Sequence, residues 1–125
     1  LERVVTVTWY LVVGMLERHL EQAMVKAARQ VGGMTESAIE RRVCQYAQSK
    51  GALAFKWVSP GTPGVCDRIF IYTNRVWFIE FKRAGLKPTP LQAKHHRDLT
   101  AMGMSVYVVD SVQQGQEVID HELSK

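Results

Sequence analysis

Apolar residues recur along the chain with two periods. Leu16, Leu20, Met24, Ala27 and Val31 lie three or four apart and predict a helix over 15–31, stopped by Gly32 and Gly33. Ile39, Val43 and Tyr46 predict a second helix over about 36–49. In "ALAFKWV", Leu53, Phe55 and Trp57 share one face of a strand, which "SPGTPG" ends with two prolines and two glycines. Two further strands are predicted near 67–72 and 76–82, joined by a short polar turn. After the loop "LKPTP", Thr89 and Pro90 start a helix. Leu91, His95, Leu99 and Met102 form its inward face, and Gly103 ends it. "MSVYVVD" is a continuously apolar strand of the kind covered on both faces. A weaker helix follows over 112–122. Residues 4–13, rich in Val, Thr, Trp and Tyr, suit a strand. The order helix, three strands, helix, strand, helix predicts an α/β fold: a mixed central sheet with helices on both faces.

Composition bounds this picture. A chain of 125 residues, 46% hydrophobic and 22% charged, has the make-up of a single globular domain with a real core. No run reaches the roughly 18 apolar residues that would cross a membrane. The apolar stretch near the start is of signal-peptide length, but Glu2 and Arg3 precede it and no small-residue cleavage site follows. Met15 could serve as a natural start, with 1–14 as an extension. The two cysteines, Cys44 and Cys66, read as small apolar residues in a reducing, cytoplasmic compartment. Between residues 41 and 97 there are eleven Lys or Arg and two acids, Asp67 and Glu80. A basic stretch of this kind favours a polyanionic partner such as nucleic acid, although a solvated basic face gives the same count.

Those two acids fall inside the most apolar segment, "GVCDRIFIYTNRVWFIEFKRAG". Strand alternation sets Val76, Phe78, Glu80 and Lys82 on one face and Trp77, Ile79 and Phe81 on the other. A Thr73–Asn74 turn sets Asp67 opposite Glu80. An Asn74–Arg75 turn sets it opposite Lys82 and diagonal to Glu80. Both registers bring the three charges to one side, with opposed Cβ atoms about 4.5–5.5 Å apart. Two carboxylates that close require a shared proton or a cation. Oxygen ligands favour Mg²⁺ or Mn²⁺, which would polarise a phosphate and activate water while Lys82 offsets charge. The same pattern also describes an ion-pair network on an exposed strand face.

Glu36 and Glu40, four apart on the second helix, look the same way and could add an acid. Ser37 and Glu40 equally fit a capping box, as do Thr89 and Gln92. His95 and His96 are adjacent and lack the partner spacing of a zinc site. Gly61 and Gly64 flank a turn and do not form a P-loop.

The run from Thr35 to Ser111 resembles the VRR-NUC family, the virus-type replication-repair nucleases of the PD-(D/E)xK superfamily. The resemblance rests on "ESAIERRV", "FKWVSPGTPGVCDRIFI", "VWFIEFKRAGLKPTPLQ" and "LTAMGMSVYVVDS" in this order. It implies a restriction-endonuclease-like core over 34–125, with 1–33 as an N-terminal extension. Asp67 and Glu80 match the family's metal-binding acids, and Lys82 its catalytic lysine. The Phe81 carbonyl is a further metal ligand in such sites. Glu40 is the best match for the helix acid, with Glu36 as the alternative, and Gln92 matches a supporting glutamine. Cys66 stands where the family has a proline, which supplies no ligand.

The resemblance implies a Mg²⁺- or Mn²⁺-dependent endonuclease of phage or bacterial origin, acting on DNA, with branched forms such as the Holliday junction as substrate. Lys56, Arg68, Arg83 and Lys87 are candidate phosphate contacts. Two equivalent cuts in a junction call for a homodimer, and the strand bearing Trp9 and Tyr10 is a candidate dimer surface. A non-cleaving DNA-binding module and a sequence-specific restriction-type enzyme are the rival readings.

Overall fold

In the computed structural model, residues 12–24 and 33–125 are described. The chain divides into two units, Leu1–Gly33 and Met34–Lys125. In the first, residues 12–24 are helical (α1). Val12 and Val13, expected at the end of a strand, lie in this helix. The rest of that expected strand, with Trp9 and Tyr10, lies outside the described residues, as do 25–31 of the expected first helix. No helix among the described residues is long and apolar enough to cross a membrane.

The second unit follows the predicted order: α2 (Glu36–Ser49), β1 (Leu53–Lys56), β2 (Arg68–Tyr72), β3 (Arg75–Phe81), α3 (Pro90–Ala101), β4 (Ser105–Val109) and α4 (Val112–Leu123). The cap of α2 is Thr35, whose hydroxyl accepts the Ala38 N–H at 3.1 Å. The Ser37–Glu40 box therefore does not form, and the Glu40 carboxylate is free to point elsewhere. At α3 the expected box does form: the Thr89 hydroxyl accepts the Gln92 N–H, and Gln92 Oε1 accepts the Thr89 N–H.

The sheet order is β1-β2-β3-β4, antiparallel through β3 and then parallel. The β2–β3 turn is Thr73–Asn74, with φ of 35° and 48°. Two consecutive left-handed residues suit a two-residue hairpin, because their twist matches that of the strands. The resulting register pairs Tyr72 with Arg75 and Arg68 with Ile79. Continued by one position, it sets Asp67 against Glu80.

Phe70, Trp77, Ile79, Phe81 and Val109 line one sheet face and pack with Ile39, Val43 and Ala47 of α2 and Ile119 of α4. Burial of each large side chain contributes about 1.5–3 kcal/mol. Gly115 lets α4 approach α2: a Cβ there would lie 2.3 Å from Val43 Cγ2. On the other face, α3 packs over β4 and reaches β3. Its cover is thinner than expected. Leu91 and Met102, expected inside, are 42% and 78% exposed, because α3 does not extend over β1 and β2. Leu53 and Phe55 of β1 are exposed for the same reason.

Candidate active site

The hairpin and the loop before it position the acids. Trp57 N–H bonds to the Asp67 carbonyl at 3.0 Å, which carries the β1–β2 ladder past the last paired residues. The loop leading to Asp67 rests on α3 at Gly64. With φ of 86°, Gly64 has no room for a Cβ, which would meet Leu91 Cγ at 2.8 Å and His95 Cδ2 at 3.1 Å. Cys66, next along, is fully buried.

Asp67 Oδ2 accepts the Phe81 main-chain N–H at 2.7 Å across the hairpin. This bond fixes the aspartate at the end of β3. Glu80 is only 2% exposed, on the face opposite Trp77 and Phe81. Its Oε1 accepts Gln92 Nε2 at 2.8 Å and lies 3.7 Å from Lys82 Nζ. Its Oε2 is buried and has no hydrogen-bond partner among the described residues. Lys82 follows β3, its N–H bonded to the Val109 carbonyl at 2.9 Å.

The charges act on one another. Burial, then the charge of Asp67, pushes the Glu80 carboxyl up to about 7, against the opposing pull of Lys82. Burial also raises Asp67, partly offset by the Phe81 N–H. Buried carboxylates close to each other hold protons more tightly than usual, and a cation between them would reverse this.

The two helix acids part company. Glu40 Oε1 pairs with Arg68 Nε at 2.5 Å. Glu36 Oε1 accepts the Arg83 main-chain N–H at 3.4 Å, and its charge acts on both Asp67 and Glu80. Glu40 acts on Asp67 more strongly than Glu36 does. Of the candidate phosphate contacts, Lys56, Arg83 and Lys87 are exposed, while Arg68 is held by Glu40.

Two residues near Glu80 read differently in the sequence, Cys66 as a small apolar residue and His96 as a histidine without the partner spacing of a zinc site. Cys66 and His96 each bring a ligand atom to Glu80, with all three atoms within 4.8 Å of one another. Burial and the charges of Glu80 and Asp67 push the Cys66 thiol up to about 12. Burial, then His95 and Lys82, lowers His96. No spacing motif marks this trio, since it comes from a loop, a strand and a helix that meet only in the fold.

No family model matches the chain. It is 42% identical over 77 residues to a protein named "Putative nuclease p44" from Acyrthosiphon pisum secondary endosymbiont phage 1; the match spans 61% of this chain and 83% of that protein. A solved structure described as a VRR_NUC domain superposes with a TM-score of 0.65 at 27% identity, covering 70% of this chain and 98% of that one.

Proposed function

The chain belongs to the VRR-NUC family of nucleases, and from that premise we propose that it is a divalent-metal-dependent endonuclease that hydrolyses phosphodiester bonds in branched DNA. The observation that carries this reading is the meeting of Asp67, Glu80 and Lys82 at one end of the β2–β3 hairpin, with Glu80 Oε2 buried and without a hydrogen-bond partner among the described residues. An orphaned carboxylate oxygen in a buried site calls for a ligand. The oxygen donors fit a hard ion.

In this reading Asp67, Glu80 and the Phe81 carbonyl would hold Mg²⁺ or Mn²⁺. Glu36 supplies the additional acid, because Glu40, although its charge is the stronger of the two at Asp67, is engaged by Arg68. What the ion contributes when bound is polarisation of a phosphate oxygen and a lowered proton affinity for water. Gln92 keeps Glu80 oriented through Oε1 and leaves Oε2 free. Lys82 orients the attacking water and offsets negative charge on the phosphate. The water oxygen bonds to phosphorus, the bond from phosphorus to the 3′ oxygen breaks, and that oxygen leaves and takes up a proton. The products are a 5′ phosphate and a 3′ hydroxyl. Lys56, Arg83 and Lys87 hold the DNA backbone and give salt-dependent binding without reading sequence. Two symmetric cuts in a four-way junction are served by a homodimer.

The test is cleavage of labelled four-way junctions, flaps and linear duplexes with Mn²⁺, comparing wild type with Asp67→Ala. Metal-dependent cutting of branched substrates by wild type alone is expected. Equal products from both proteins overturn the catalytic reading. Binding without cleavage identifies a DNA-binding module, and cutting of random-sequence duplex at a defined sequence identifies a restriction-type enzyme.

A further inference from the structure

Three buried or half-buried groups of different chemistry converge behind the acid pair. Cys66 comes from the loop before β2, Glu80 from β3 and His96 from α3. Cys66 is a free thiol and fully buried. Glu80 Oε2 and His96 Nε2 are both buried and both lack a hydrogen-bond partner among the described residues. Unpartnered polar atoms in a protein interior are rare and costly, and two of them on residues that gather beside a buried thiol need a reason.

One sulfur, one imidazole nitrogen and one carboxylate oxygen are a donor set for a borderline-soft ion, with Zn²⁺ the leading candidate. Mg²⁺ and Mn²⁺ favour oxygen donors and have little use for the thiolate. Ligand atoms 2.0–2.3 Å from a tetrahedral ion lie about 3.3–3.8 Å apart. The three atoms here are within 4.8 Å of one another. A contraction of roughly 1 Å, by side-chain rotation, would close the site. Three protein ligands leave the fourth position to water.

We propose that Cys66, Glu80 and His96 form a zinc-selective site that shares Glu80 with the acid pair. Zn²⁺ bound there claims the Glu80 carboxylate, so zinc occupancy and Mg²⁺ or Mn²⁺ occupancy exclude each other. The chain thereby carries an inhibitory metal site built into its own metal centre. The inhibitory consequence rests on the proposed nuclease reading; the zinc site does not.

The experiment uses the full chain without DNA. Co²⁺, an optical stand-in for Zn²⁺, is titrated in excess Mg²⁺. A thiolate-to-cobalt charge-transfer band saturating at one equivalent is expected, and Zn²⁺ should abolish it. The band should be absent from Cys66→Ser and His96→Ala and retained in Cys44→Ser, with circular dichroism showing that each variant is folded. No thiolate band in wild type, or an equal band in Cys66→Ser, overturns the site. In a second arm, Mn²⁺ bound to the protein is followed by electron paramagnetic resonance while Zn²⁺ is added. Release of Mn²⁺ at a Zn²⁺ concentration at least tenfold lower for wild type than for Cys66→Ser supports the exclusion. Zinc and manganese bound together overturn it. If the protein binds no Mn²⁺, the nuclease reading and the exclusion both fail, and the cobalt titration alone decides the zinc site.

Discussion

Gln92 donates from Nε2 to Glu80 Oε1 at 2.8 Å, while its own Oε1 accepts the Thr89 N–H at 2.9 Å. One side chain thus starts α3 and orients a buried carboxylate of β3. The capping-box reading and the supporting-glutamine reading of this residue describe two ends of the same amide. Gln92→Glu keeps an acceptor for the cap but turns the donor toward Glu80 into a like charge. It should retain fold and melting temperature to within a few degrees and lose about 10–100-fold in metal affinity or DNA cleavage. Calorimetric Mn²⁺ titration beside thermal unfolding separates the two effects.

The raised proton affinity of Glu80 makes stability depend on pH. Its carboxyl titrates near 4.5 in the unfolded chain and near 7 when folded, through burial and then Asp67. Folding therefore takes up a proton between those values, and the metal-free protein loses stability as pH rises through them, levelling off above about 7. The full effect is up to about 3 kcal/mol. Glu80→Gln should remove that slope, making the variant more stable than wild type at pH 8 and nearly equal at pH 5. Urea unfolding at both pH values checks this, and added Mn²⁺ should stabilise wild type at pH 8 but not the variant.

Glu36 and Glu40 should separate by function. Glu36→Gln removes a charge that acts on both Asp67 and Glu80. It should weaken Mn²⁺ binding several-fold with little loss of stability. Glu40→Gln breaks the partly buried pair with Arg68. It should cost about 1–3 kcal/mol of stability and affect Mn²⁺ less. The reverse pattern would make Glu40 the ligand.

At Gly115, Ala would raise helix propensity by about 1 kcal/mol but drive a methyl into Val43 at 2.3 Å. We expect net destabilisation of about 1–3 kcal/mol, seen as a lower urea midpoint. Val43→Ala should partly relieve it in the double variant.

Much of this arrangement is legible in the sequence because it follows from local rules. Strand alternation puts Asp67, Glu80 and Lys82 on one side for either turn considered, and Thr89-Pro90 announces the start of α3. The choice between turns is settled by the left-handed backbone of Thr73 and Asn74. What the sequence hides is tertiary. Ser37-x-x-Glu40 reads as a capping box, yet Thr35 caps the helix and Glu40 reaches Arg68, 28 positions away. Leu91 and Met102 have core spacing, yet α3 leaves them exposed because it covers only part of the sheet. His96 has no ligand spacing at all and meets Cys66 only when α3 folds over the hairpin.

The most direct test of the central claim is the Mn²⁺ affinity of wild type, Asp67→Ala, Glu80→Gln and the double variant, measured by calorimetry without DNA. If the two carboxylates hold one ion together, each single variant should lose most of the affinity and the double variant little more. Unchanged affinity in either single variant, or losses that simply add, would contradict a shared ion.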